Sequence, residues 1–342
     1  MNQLKIFYGI QRYQSHYRVG QAYRQLLSSS YPIVNTIADS DIAILHVEPH
    51  DYHGLYSKYP SLRDKYVISY CVWEASELPE VYKRSLSLVQ EVWTCSTFCK
   101  DIIQKHHSRV TLIPHVVSRD LTVESQDREF IKNIISHKDG CYYFLSIGRT
   151  KGFRKNINGM VRAFESTATQ MPNARLVIKG IPKDPILTSP DPRIVYISQY
   201  FTDSQMNALY LGTNAYVSAH HSEGWGLTLS DAMLLGRPLI ATGYSGNLDF
   251  MTDDNSFLIN AKEKFIDPNE IFGLFNTSMK WGEPDYDQLR DTMRSLCDGS
   301  SQEKAQRQID SAKAQCLNFS PGEIQKIMLR RLESIRTEMA LP

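Results

Sequence analysis

Residues 220–251 constrain the fold more than any other part of the chain. They begin with a polar segment, His220-His221-Ser222-Glu223, and run into Gly224-Trp225-Gly226. Leu227, Leu229, Ala232, Met233 and Leu235 follow at the spacing of one buried helix face. Gly236 and Pro238 stop that helix, and residues 238–241 read as a buried strand. A second glycine loop, Gly243-Tyr244-Ser245-Gly246-Asn247, opens at its end. This order of loop, helix, strand and loop belongs to an open α/β sheet with ligand loops at its strand ends. Glycine lets backbone come close to a ligand. A helix N-terminus offers free amides and a positive dipole end to a phosphate. The dinucleotide fingerprint G-x-G-x-x-G does not fit, because its third glycine place holds Leu229.

The alternation extends to both sides. In the first half, residues 4–8, 41–47, 66–72, 92–93 and 110–113 read as strands. An aromatic and basic loop, 11–18, precedes a helix opened by Gly20 and running to Leu27. In the second half, residues 142–147, 176–178, 194–197, 215–217 and 257–259 read as strands. Helices are expected at 155–171 and 203–211, with a Pro-rich loop at 182–192. From 260 onward the chain reads as helical, over 268–279, 286–297, 302–316 and 323–339. Strands alternating with helices predict parallel, doubly wound sheets. A chain of 342 residues favours two domains. The polar run 123–140 is the expected passage, giving domains 1–138 and 139–318 and a closing helix in 319–342.

Composition excludes several classes. A net charge of +1, from 38 basic and 37 acidic side chains, gives no ground for nucleic acid as a partner. Cys71, Cys95, Cys99, Cys141, Cys297 and Cys316 are scattered and read as reduced thiols of a cytosolic protein. Cys95 and Cys99 lack a second ligand pair, and His46, His50 and His53 fit no standard spacing, so no metal site is expected. No apolar run approaches the roughly 18 residues of a membrane span, and the N-terminus has no signal core. The expectation is a soluble, cytoplasmic protein, with room left for peripheral contact at the inner face of a membrane. Oligomeric state is not legible.

On the residues of 220–251 the chain resembles family-4 retaining glycosyltransferases of the GT-B fold. Their signature is Glu, Gly, aromatic, Gly and a second acid. Glu223 and Asp231 hold the acidic places with seven residues between them, although the family usually has Glu at the second. Ser245-Gly246-Asn247 resembles the family's second glycine loop, and residues 281–285 a turn common in it. The likeness covers most of the chain and is strongest over 144–260. It implies an α/β GT-B architecture of two Rossmann-like halves. The first would bind acceptor and the second donor, with chemistry in the crevice. The last helix would cross back onto the first half.

The resemblance also implies roles. Arg149 and Lys155 would bind the donor diphosphate beside Gly148, with Arg154 as the competitor for the place of Lys155. The residues themselves suit this, since cations at a strand end and a helix start can clamp a diphosphate. Glu223 would contact the donor sugar and Asp231 the ribose hydroxyls; a carboxylate can accept both hydroxyls of a diol. Gly224, Trp225, Gly226, Leu227, Ser245, Gly246 and Asn247 would complete the donor site. Glu74, after the third strand, is positioned to orient or deprotonate an acceptor hydroxyl. His16 and His50 are the other acceptor candidates. His115 matches a place that the family usually fills with a small polar residue, and it is given no catalytic role. Arg149, Lys155, Glu223 and Glu74 are thus the catalytic candidates. The implied activity is retaining transfer of a hexose from a UDP- or GDP-sugar to a hydroxyl of a glycan or glycoconjugate, in polysaccharide biosynthesis. It needs no metal and no cofactor beyond the sugar-nucleotide substrate. An epimerase, a phosphorylase and a non-catalytic sugar-nucleotide-binding subunit share the architecture and stay open.

Overall fold

The computed structural model describes residues 3–12, 14–182, 184 and 189–340. Tyr13 of the aromatic loop and residues 183 and 185–188 of the Pro-rich loop lie outside the described residues. The chain divides into two compact units. One runs to Val117 and resumes at Leu317; the other is Ser118–Cys316. The division therefore falls before the polar run 123–140, most of which is a helix of the second unit.

The first unit is built on β1 (Ile6–Ile10), β2 (Ile33–Val34), β3 (Ile42–His46), β4 (Tyr66–Tyr70), β5 (Glu91–Thr94) and β6 (Val110–Leu112). Among the described residues they form one parallel sheet of order β2-β1-β3-β4-β5-β6. Strands β3 and β4 are buried along their whole length, as expected where helices cover both faces of a parallel sheet. The helices are α1 (Gln14–Ser28), α2 (Tyr52–Lys58), α3 (Glu80–Leu86) and α4 (Thr97–Ile103). Helix α1 starts earlier than the sequence suggests, so much of the expected loop 11–18 is helical. Val19, Tyr23 and Leu27 recur every four residues and are buried, which fixes the inward face.

The second unit opens with α5 (Ser125–Ile134). It continues through β7 (Tyr142–Ile147), α6 (Ile157–Glu165), β8 (Ala174–Lys179), β9 (Ile194–Ile197), α7 (Asp203–Leu211) and β10 (Ala215–Ser218). Then come α8 (Leu227–Leu234), β11 (Leu239–Thr242) and β12 (Phe257–Ile259). Their parallel sheet has the order β12-β11-β10-β7-β8-β9. Helix α6 ends before 171 because Ser166 and Thr167 donate their hydroxyls back to the carbonyls of Ala163 and Phe164. Phe144, Met160, Phe164, Leu176, Ile178, Val217 and Ile240 form its core.

The expectation of helix throughout the remainder is corrected. Strands β13 (Ala261–Phe265) and β14 (Lys280–Pro284) pair as an antiparallel hairpin, from Ala261 opposite Pro284 to Phe265 opposite Lys280. The stretch 281–285 is therefore mostly strand. Between the strands only Pro268–Glu270 is helical, as a single 3-10 turn. Ile271, Leu274 and Phe275 imitate a helix period in sequence. However, Asp267 and Asn276 accept the amides two residues ahead of them, a local bond that favours turns over helix. Helices α9 (Tyr286–Cys297) and α10 (Gln302–Leu317) follow, and α11 (Pro321–Glu338) belongs to the first unit.

Helix α11 buries Ile324, Met328, Leu332 and Ile335 completely, while Ile327 is half-buried. Arg331 donates twice to the buried Glu91 of β5, at 2.8 and 2.7 Å. Gln325 donates to the carbonyl of Leu26 in α1 at 2.8 Å. Among the described residues no helix is long and apolar enough to cross a membrane.

Candidate active site

In an open α/β sheet, ligands bind beyond the carboxyl ends of the strands, where the strand order reverses. In the second unit that reversal lies between β7 and β10. The segment after β7 carries Arg149, Arg154 and Lys155; the segment after β10 carries Glu223. Sheet topology thus brings together groups almost 70 residues apart in sequence.

Glu223 is the centre of this arrangement. Its side chain is only 5% exposed, and it takes Lys155 on one oxygen and Arg154, at 3.1 Å, on the other. Arg154 also donates to the carbonyl of Ser222 at 2.7 Å. Burial alone would raise the Glu223 carboxyl, but the Lys155 and Arg154 cations outweigh it and hold it down to about 2. Both basic residues thus reach the same carboxylate.

The two glycine loops are tied together through the same residue. The Glu223 amide donates to the Ser245 hydroxyl at 2.8 Å, and the Gly246 amide donates to the Glu223 carbonyl at 2.9 Å. Ser245 adopts φ 77°, unusual for a residue with a side chain, and such strain costs about 1–3 kcal/mol. His220 is fully buried and shares a hydrogen bond with Asn247 at 3.1 Å and another with Ser218 at 3.0 Å. Burial lowers its pKa to about 4, so it packs neutral. Gly224 is buried, and Trp225 packs against Phe250 with ring centroids 4.7 Å apart. Gly226 caps α8 at φ 98°, a conformation that L side chains avoid, and Leu227 begins the helix.

Other expected donor residues are engaged elsewhere. Gly148 packs against the Lys155 side chain, but half-exposed Arg149 is held by Asp184 at 3.0 Å, and the Thr150 amide donates to the same carboxylate. Asp231, nearly buried on α8, pairs with Arg119 at 2.8 Å. Arg119 lies 112 residues away in sequence, and no local pattern marks it as a partner. Asn156 is a further organiser that no sequence pattern marks. It adopts a left-handed conformation at φ 49° and donates to the Ala219 carbonyl and the Tyr286 hydroxyl, both at 2.8 Å. The hairpin clasps the first loop: the Gly282 amide donates to the His221 carbonyl at 2.9 Å, the His221 imidazole bonds the Gly282 carbonyl through Nδ1 at 2.8 Å, and the ring stacks on Trp281 at 4.8 Å.

In the first unit, His16 binds Glu48 at 3.1 Å and His50 sits 3.7 Å from Asp51. Glu74 is half-buried just beyond β4, next to buried Trp73. His46 is buried and stacked on Tyr70, and His115 is buried, which pushes its pKa down to about 3. The six cysteines are free thiols. Among the described residues, no group of three or more His, Cys, Asp or Glu could hold a metal ion.

Residues 127–267 match the family model of glycosyl transferases group 1. No curated protein sequence matches the chain. Among solved structures, a glycosyltransferase from Rickettsia africae is 13% identical, with a TM-score of 0.67 over 98% of this chain and 99% of that one. HepE of Anabaena, solved with UDP and glucose, is 12% identical, with a TM-score of 0.64 over 97% and 100%. The pneumococcal O-GlcNAc transferase GtfA, solved with UDP and GlcNAc, is 16% identical, with a TM-score of 0.58; the match covers 93% of this chain and 60% of GtfA. The chain thus spans about three fifths of the GtfA structures it matches. Together with the two doubly wound sheets and the returning helix, these likenesses show that the chain has the GT-B fold, and the match to glycosyl transferases group 1 is carried by residues 127–267.

Proposed function

We propose that the protein is a retaining, metal-independent glycosyltransferase. It moves a hexose from a nucleotide diphosphate sugar to a hydroxyl of a glycan or glycoconjugate. The observation that carries this reading is the meeting of Lys155 and Arg154 on buried Glu223, at the β7/β10 reversal and between two tied glycine loops. As the bond from sugar to phosphate loosens, negative charge builds on the leaving diphosphate. Two fixed cations and the nearby backbone amides stabilise that charge most in the transition state. They supply the neutralisation that a metal ion gives in other transferases. Glu223, ionised at neutral pH, is positioned to accept hydroxyls of the donor sugar, and Asp231 those of the ribose.

Arg149 acts from the outer edge of the same mouth, steered by Asp184. The donor belongs to the second unit and the acceptor, with Glu74, His16 and His50, to the first. Retention follows the family's same-face attack, in which the leaving phosphate takes the acceptor proton. UDP-sugars are the first donors to test, because GtfA and HepE were both solved with UDP; GDP-sugars come next. The test is proton NMR of the product formed from UDP-glucose, UDP-GlcNAc or a GDP-sugar in the presence of EDTA. Retained anomeric configuration with undiminished rate is expected. An inverted product, or loss of activity in EDTA, would overturn the corresponding part.

A further inference from the structure

The first unit has a strand reversal of its own, between β1 and β3. An acid–base pair spans it just as Lys155 and Glu223 span the reversal of the second unit. His16 lies in α1, directly after β1, and Glu48 lies two residues after β3. We propose that this point is a carbohydrate-binding site in which Glu48 accepts hydroxyls of a neutral sugar. His16 is the positioning residue that holds the carboxylate. Only the naming of that sugar as the acceptor substrate rests on the glycosyltransferase reading.

The carboxylate is fixed from several directions. One oxygen accepts from His16 at 3.1 Å and the other from the Tyr82 hydroxyl of α3. The Glu48 amide donates to the Gln11 side chain at 3.0 Å. Each carboxylate oxygen offers about two acceptor positions, so both retain capacity for a ligand hydroxyl. Burial would raise the Glu48 carboxyl, but His16 and Tyr82 outweigh it and keep it ionised. The side chains of His16 and Glu48 are 12% and 26% exposed, so the pair is ordered yet reachable.

The surroundings favour a neutral polyol. His46 lies beneath, stacked on Tyr70 at 4.3 Å and bonded to the Tyr8 hydroxyl at 3.1 Å. Burial first, and the neighbouring imidazoles His16 and His115 second, hold it neutral. His50 lies over Tyr82 at 6.2 Å and gives the rim a flat face. Glu48 and half-exposed Asp51 oppose an anionic group directly at this point, while the Arg18 cation acts on His115 at the far side of the Tyr70 and His46 stack. A vicinal diol would find paired acceptors beside an aromatic surface.

Saturation-transfer NMR on the full chain tests this with methyl glycosides of glucose, galactose, mannose and N-acetylglucosamine. UDP and GDP, as independent probes of the second unit, are titrated in separate samples. At least one glycoside should bind, and Glu48→Gln, which keeps the shape and removes the charge, should weaken it about tenfold, as for a lost charge-assisted hydrogen bond. If Glu48→Gln fails to fold by circular dichroism, His50→Ala at the half-exposed rim decides, with a several-fold loss expected. The proposal is overturned if no glycoside binds wild type, or if a folded variant binds as wild type does. Glycoside binding that depends on Glu48, in a protein that ignores both UDP and GDP, would support this site while removing the glycosyltransferase reading.

Discussion

At the scale of single residues, buried charge decides most of the site. Glu223 holds two cations, so removing one leaves the carboxylate still paired. Lys155→Ala should therefore fold normally yet lose about 10²–10³-fold in kcat, the cost of one transition-state donor; steady-state kinetics and a thermal melt together check this. Arg119 and Asp231 behave differently, because both are nearly buried. Arg119→Ala removes the ion-pair partner of an interior carboxylate and should cost roughly 3–5 kcal/mol by urea denaturation. Asp231→Asn should be milder in stability but should weaken nucleotide binding measured by calorimetry. Equal, small effects of both substitutions on stability would show that the pair is not a structural charge pair. Glu223 and Asp231 are marked in the sequence as donor-site candidates, because both stand in one continuous signature. Arg119, Asp184 and Glu48 are not, because their partners are set by strand order and by chain returns of tens of residues.

At the scale of elements, the sequence is most legible where the period is strong and the caps are local. The bounds of β7, β9, α7, β12 and α9 follow the expected ones, helped in α7 by the Thr202/Gln205 capping box. The hairpin β13–β14 was hidden. Its two strands pair across a long connection, and that connecting stretch imitates a helix. Yet it borders the site: a Cβ at Gly282 would lie 2.6 Å from Cγ and 2.9 Å from Cβ of Tyr244, the residue before strained Ser245. Neither atom is the flexible end of that side chain, so Gly282→Ala should displace the second glycine loop. It should lower kcat/KM at least several-fold while leaving far-ultraviolet circular dichroism unchanged. Wild-type kinetics in Gly282→Ala would mean that the hairpin is only a bystander to catalysis.

At the scale of the whole molecule, the last helix is part of the first unit's interior. Truncation before Pro321 would strip Arg331 from buried Glu91 and uncover Ile324, Met328, Leu332 and Ile335. The truncated chain should lose sugar transfer through damage to its first unit, while nucleotide binding persists. Acid should also weaken the fold. His46, His115 and His220 stay neutral when folded, but each takes up a proton below about 6.5 once unfolded. Their contribution is thus fully present above pH 6.5. It is lost as pH falls towards about 4 for His220 and about 3 for His115, at about 1.4 kcal/mol per pH unit for each. Urea midpoints from pH 7.5 down to 5 should fall accordingly, and a flat profile would contradict this. The most direct measurement of the central claim is single-turnover transfer from a UDP- or GDP-sugar, comparing wild type with Lys155→Ala. The account predicts a new glycosidic bond formed by wild type and a reaction slowed about 10²–10³-fold in the variant. An equal rate in both, or sugar nucleotide consumed with no glycosidic bond formed, would contradict it.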